Sequence, residues 1–229
     1  MAQERLLWYV MIHVTLILTG GKSVLQGLSL AILAGGMGRR FGGSDKQAVP
    51  LGGVPLGRKV ALNALSTELP VYLIGPSRTI YDGLPLRFVR DTVPGFGPLS
   101  GLHAALSSAA TPWLYLLACD MPFFNKNWLH YLSCLLEDSS AEEASAPLAI
   151  LARRGKYIEP FQGLYSRFLI PELERKMDSA SAAGAKLSFS RLLDDLPHRI
   201  VPEAVARNFS PDWSLFKSIN DPSALREFQ

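Results

Sequence analysis

The sequence predicts an α/β fold built around a mostly parallel central sheet. Three observations carry this. A chain of 229 residues suits one domain of that class. Short apolar runs, Leu28 to Ala34, Leu69 to Gly75, Leu86 to Arg90 and Trp113 to Ala118, have the length of buried strands and are separated by stretches of helical spacing. The first of these runs breaks at once into a glycine-rich loop, and in parallel α/β sheets ligands gather at the carboxyl ends of the strands.

That first stretch, Leu30 to Lys46, reads LAILAGGMGRRFGGSDK. Glycine lets a backbone turn sharply and approach a ligand closely. Successive N–H groups at such a turn form a concave anion site, and Arg39, Arg40 and Lys46 add positive charge for the same anion. A polyphosphate fits all three features. Neither common phosphate loop is present. Lys46 is followed by Gln47 rather than Ser or Thr, and Phe41 stands where a dinucleotide fingerprint needs its last glycine.

The composition, 48% hydrophobic and 19% charged, is that of an ordinary globular protein. A net charge of +3 is too small to argue for a nucleic-acid partner. Cys119 and Cys134 stand in no zinc or C-x-x-C spacing, so no metal framework or disulfide scaffold is expected. Residues 1–27 are set apart. Leu6 to Leu18 is largely apolar but short for a membrane span. Three readings stay open for it: a start codon assigned too far upstream, a packed extension, or a targeting segment.

Along the rest of the chain, Pro55 opens a helix with Val60, Leu62 and Leu65 on its buried side. Asp91 ends the third apolar run and is placed for a site. The run Asp91 to Gly101, DTVPGFGPLSG, is either a ligand-wrapping loop or a plain strand-to-helix connection, with Pro98 starting a helix to about Ala109. Trp113 to Ala118 is the most hydrophobic run and the expected central strand. Asp120 follows it directly, as a metal ligand or as the cap of the next helix. Asn125 to Glu137 has helical spacing. After a polar link, Pro147 to Ala152 and Ile158 to Tyr165 read as a strand pair. Its turn residues Arg153, Arg154 and Lys156 are either a phosphate contact or solvated. A helix over Ser166 to Met177, a loop over Ser179 to Gly184, a short helix over Leu187 to Leu196, and strands at His198 to Val201 and Trp213 to Ile219 complete the reading.

Four of these stretches together resemble the molybdenum cofactor guanylyltransferases, a family of MobA-like nucleotidyltransferases. Leu33-Ala34-Gly35-Gly36, Arg40, Gly42-Gly43, Asp45 and Lys46 stand where the signature LAGGxxxRMGGxDK asks, with Phe41 replacing methionine. Asp91 to Gly101 resembles D…PGxGPLxG, Cys119 to Pro122 resembles CDxP, and Ser218 to Pro222 resembles the closing N-x-N-T-P element with serine for its first asparagine. The resemblance runs from about Leu28 to Phe228.

It implies a Rossmann-like three-layer nucleotidyltransferase fold over residues 28–229. It also implies transfer of GMP from GTP to molybdopterin in the cytoplasm, with release of pyrophosphate. Leu33, Ala34, Gly35 and Gly36 are then expected to line the nucleotide. Arg40 and Lys46 neutralise its phosphates, Asp91 helps hold it, and Asp120 holds Mg²⁺. The expected protein partners are molybdoenzymes or their chaperones, with no nucleic acid and no membrane. Two alternatives remain in view: a cytidylyltransferase for the same pterin, and a non-catalytic nucleotide-binding protein of the same fold. Gly35, where the cytidylyltransferases usually carry alanine, and the run Gly97 to Gly101 favour GTP. Intact Lys46 and Asp120 favour turnover.

Overall fold

The structure, a computed structural model, describes residues 25–35, 45–76, 78–91, 93–138 and 146–219. In chain order the strands are β1 (Leu28–Leu33), β2 (Pro50–Leu51), β3 (Val54–Pro55), β4 (Val71–Ile74), β5 (Arg87–Val89), β6 (Trp113–Ala118), β7 (Ala149–Arg154), β8 (Tyr157–Ser166) and β9 (His198–Val201). The helices are α1 (Leu56–Leu65), α2 (Pro98–Ser108), α3 (Lys126–Asp138), α4 (Ile170–Ala182), α5 (Phe189–Leu193) and α6 (Glu203–Ala206).

Seven strands form one sheet in the order β5-β4-β1-β6-β8-β7-β9, while β2 and β3 make a small separate hairpin. β1 pairs in parallel with β4 and β6, β4 with β5, and β7 with β9; β8 alone runs antiparallel, against β6 and β7. The expected mostly parallel sheet is therefore present, with one reversed strand inside it.

Both faces of the sheet are covered, which is why its central strands read as unbroken apolar runs. Leu28, Leu30 and Ile32 of β1 and Tyr115 and Leu117 of β6 pack with Val60, Ala61 and Ala64 of α1 and Trp128, Leu129 and Leu132 of α3. On the other face, Ala31, Leu33, Leu114 and Leu116 pack with Leu99, Leu102 and Leu106 of α2 and Leu173 and Met177 of α4. Each such leucine contributes about 1.5–3 kcal/mol by leaving water. These are the three layers.

Several boundaries differ from the sequence reading. The stretch Trp213 to Ile219 is not a strand: it makes a 3-10 turn over Ser214–Phe216 and joins no sheet. Its apolar residues Trp213, Leu215 and Phe216 cap the α3 face as a folded-over segment, with the Trp213 and Phe216 rings 4.7 Å apart. The loop expected at Ser179 to Gly184 is mostly helix: α4 starts at Ile170, with Pro171 in its first turn, and continues through small residues to Ala182. α5 is shorter than expected, starting after the Ser188 cap. Leu62, placed on the buried side of α1, is exposed; Ala61 and Ala64 take that side instead.

β8 carries an irregular, left-handed position within the sheet. Its register with β7 shifts between Ile150 and Ala152, and Gln162 there has a φ of 59°. A left-handed non-glycine residue costs on the order of 1–3 kcal/mol, and hydrogen bonds offset it. The fully buried Gln162 side chain accepts from the Tyr115 hydroxyl at 2.6 Å and donates to the carbonyls of Phe123 and Leu215. Its carbonyl accepts from Trp128 Nε1 at 2.7 Å. Next to it, a Cβ added at Gly163 would stand 2.4 Å from Leu151 Cδ2 and 3.0 Å from the Ile150 carbonyl oxygen. Gly163→Ala should therefore cost about 1–3 kcal/mol, lowering the urea midpoint. An unchanged midpoint would show that the bulge relaxes freely.

Candidate active site

Because β5, β4, β1 and β6 are parallel, their carboxyl ends open on one edge of the sheet. A pocket of about 530 Å³ lies there. Leu33 and Gly35 from the end of β1 line it, with Gly75 after β4 and Asp91 after β5. Gly95, Gly97, Pro98, Ser100 and Gly101 form the wall where the loop enters α2. Asp120 stands at its other side, and beyond it come Phe161 from β8 and Ser218 from the C-terminal segment. The two loop motifs and the aspartate that the sequence singled out thus meet in one cavity.

Lys46 begins a 3-10 turn over Lys46–Ala48. Asp45 caps that turn by accepting from the Gln47 N–H at 3.1 Å, and its second oxygen pairs with Arg78. The Lys46 ammonium lies 2.5 Å from Asp120 Oδ2, across the mouth of β6, with both side chains largely buried. Lys46 and Asp120 are distant in sequence and are brought together only by the sheet. Asp120 is no helix cap. Asn125 does that work for α3, its Oδ1 accepting from the N–H groups of Asn127 and Trp128.

The other Asp120 oxygen, Oδ1, is buried and accepts no hydrogen bond from the described residues. Its backbone carbonyl accepts from the Ile219 N–H at 2.8 Å, which ties the C-terminal segment to the site and brings Ser218 into the pocket. The thiol of neighbouring Cys119 is pushed up to about 12, first by burial and then by the Asp120 carboxylate. It stays protonated at neutral pH and is a core residue rather than a nucleophile.

Of the predicted site residues, Leu33, Gly35, Asp91 and Asp120 line the pocket, and Lys46 touches Asp120. Asp91 also closes a turn, accepting from the Val93 N–H at 3.1 Å. Ala34 is fully buried, with its N–H on the Ile74 carbonyl and its own carbonyl on Gln47 Nε2, so it orients Gly35 rather than facing the cavity. Gly36, Arg40 and the closing Asn220-Asp221-Pro222 lie outside the described residues. Arg154 and Lys156 lie over the rings of Trp213 and Tyr157, and neither lines the pocket. Phe161 lines the pocket, as expected from the resemblance of its strand to the family element across from the glycine loop; sequence reasoning missed Gln47 and Tyr81. Their roles depend on partners distant in sequence, which no local pattern announces.

The chain belongs to the MobA-like NTP transferase family, whose domain model matches residues 30–197. It is therefore a nucleotidyltransferase. Within that family it stands with the molybdenum cofactor guanylyltransferases, in molybdenum cofactor biosynthesis. It is 36% identical to the molybdenum cofactor guanylyltransferase of Syntrophotalea carbinolica, over 84% of this chain and 86% of that one. It is 30% identical to the probable molybdenum cofactor guanylyltransferase of Peptoclostridium acidaminophilum, over 87% of each. The crystal structure of molybdopterin-guanine dinucleotide biosynthesis protein A from Archaeoglobus fulgidus superimposes with a TM-score of 0.68 at 26% identity, covering 87% of this chain and 95% of that one.

Such a nucleotidyltransferase suggests a divalent metal, and the residues present fit one. Buried and without a hydrogen-bond partner among the described residues, Asp120 Oδ1 is a hard anionic oxygen at the pocket wall, the donor type such an ion prefers. Among the described residues no three Asp, Glu, His or Cys side chains converge. Among the described residues the fit is to an ion that takes the Asp120 carboxylate and shares its remaining coordination with phosphate and water oxygens. Among the described residues no helix is long and apolar enough to cross a membrane.

Proposed function

We propose that this protein transfers GMP from GTP to molybdopterin in the cytoplasm, forming the guanine dinucleotide and releasing pyrophosphate. The observation that carries this reading is the meeting of Lys46 and Asp120 beside a pocket walled by Gly35, Asp91 and the Gly95 to Gly101 run. The acceptor's terminal phosphate is already anionic at neutral pH, so no general base is needed. The protein's work is to hold donor and acceptor in line and to neutralise charge at the α-phosphate.

Leu33 and the Gly35 backbone support the nucleotide from the β1 side, and Asp91 helps hold it from β5. Gly36 and Arg40 are assigned to the nucleotide and its phosphates with them. Lys46 donates its charge to the phosphates. Asp120 is assigned to Mg²⁺, which when bound would neutralise phosphate oxygens during transfer. Phe161 and Ser218 enter from the far side of β6, which leaves that half of the pocket to the acceptor.

The test is base choice. With molybdopterin supplied, kcat/KM for GTP should exceed that for CTP by at least about a hundredfold, since a site built to hydrogen-bond one base rejects another lacking matching groups. Equal or better efficiency with CTP would identify a cytidylyltransferase, and GTP binding without turnover a non-catalytic protein.

A further inference from the structure

The glycine-rich loop leaves β1 at Ala34 and returns at Asp45, and one buried side chain bridges its two ends. Gln47 is 3% exposed. Its Nε2 donates to the Ala34 carbonyl at 2.7 Å, and its Oε1 accepts from the Tyr81 hydroxyl at 2.6 Å. The amide can be held only this way round. A carbonyl oxygen accepts and cannot donate, so the NH₂ must face Ala34 and the oxygen must face Tyr81. Tyr81 is fully buried, and that burial raises its pKa far above the ordinary tyrosine value, so it remains a donor at any working pH.

Space for this arrangement depends on Gly57 of α1. A Cβ there would stand 2.3 Å from the Tyr81 hydroxyl oxygen and 3.1 Å from Gln47 Cβ. The helix therefore has no side chain where tyrosine and glutamine meet.

We infer that Gln47 is a positioning residue that closes the base of the glycine-rich loop and fixes its two phosphate-facing ends relative to each other. Two links make the inference. The Ala34–Gly35 peptide is planar and trans, so drawing its carbonyl toward Gln47 turns the Gly35 N–H to the opposite side. Gly35 is the pocket-lining residue. At the other end, Gln47 follows Lys46 in the same 3-10 turn, so anchoring its side chain fixes the backbone from which the ammonium reaches Asp120. Gln47 touches no substrate and acts through Gly35 and Lys46. The inference rests on the proposal that Lys46 contacts the GTP phosphates.

Gln47→Met keeps the volume and removes both hydrogen bonds; Tyr81→Phe removes one. GTP affinity is measured by calorimetry, and kcat and the KM of each substrate in the GMP-transfer assay. These are done for each variant alone and combined with Lys46→Ala. Gln47→Met should weaken GTP binding about tenfold, and Tyr81→Phe about threefold, while the KM for molybdopterin stays at the parent value. A general loss of folded structure would move both substrates. Acting through Lys46, Gln47→Met combined with Lys46→Ala should lose clearly less than the product of the two single losses. A double loss equal to that product, or parent GTP affinity in Gln47→Met, would overturn the inference. If Gln47→Met does not fold, Tyr81→Phe carries the same cycle with the same two criteria. Parent GTP affinity in Lys46→Ala alone would instead overturn the site reading beneath it.

Discussion

Asp120→Asn is expected to fold as the parent does and to lose nearly all magnesium-dependent GMP transfer. The loss should be on the order of 10²–10³-fold or more, the scale on which removing one preorganised charge-stabilising group acts. The substitution is almost isosteric and leaves the backbone bond from Ile219 to the residue 120 carbonyl in place. It also leaves α3 untouched, because Asn125 caps that helix. What it removes is negative charge beside a triphosphate. Lys46 pairs with one oxygen of that carboxylate; if this ammonium turns to the phosphates, the carboxylate needs a further cation between it and them, which is the role proposed for the metal. The decisive measurement is rate against magnesium concentration for both proteins, with melting curves recorded in parallel. An active variant with an unchanged magnesium requirement would make Asp120 a structural residue.

Lys46→Ala should weaken GTP binding and slow turnover by roughly ten- to hundredfold, since a charge-assisted hydrogen bond contributes on the order of 1.5–3 kcal/mol. The Lys46–Asp120 pair explains why the effect falls on both quantities. Lys46 rests on Asp120, so the two side chains hold each other in place and little of their own ordering remains to be done on binding. Removing Lys46 takes away the attraction and also leaves the Asp120 carboxylate without this counter-charge. Titration of GTP by calorimetry and steady-state rates check both halves. Parent affinity together with parent rate would take Lys46 out of the site.

These two residues were legible in the sequence because their signals are local. The most apolar run, Trp113 to Ala118, became β6 with those same ends, and the aspartate after it had to emerge at the sheet's carboxyl edge. The glycine loop likewise announced itself by composition. Gln47 was not legible. A glutamine beside an apolar stretch looks like a surface residue, and only Tyr81 and the Ala34 carbonyl, reached through the tertiary fold, bury and satisfy it. Trp213 to Ile219 misled for a related reason. Its alternating apolar residues suit a strand, yet the same spacing serves a segment folded over the sheet's helical layer, with Trp213 in the left-handed region. The reversal at β8 was legible, because a short turn joins it to β7 and allows only an antiparallel return; its place between β6 and β7 was not, since no local pattern sets strand order.

The place of β6 has a consequence for how the protein is made. Leu28 pairs with Trp113, so β1 cannot acquire its second neighbour until roughly half the chain has been synthesised. Parallel pairing of this span requires a long crossover, and the entropy of closing it is lost before any contact is gained. The glycine loop and Lys46 thus leave the ribosome well ahead of the carboxylate that completes them. A nascent or truncated chain ending before β6 carries the glycine-rich stretch, Lys46 and Asp91 without Asp120. The growing polypeptide therefore passes through a long interval in which the Lys46 ammonium exists without the carboxylate it pairs with in the folded protein.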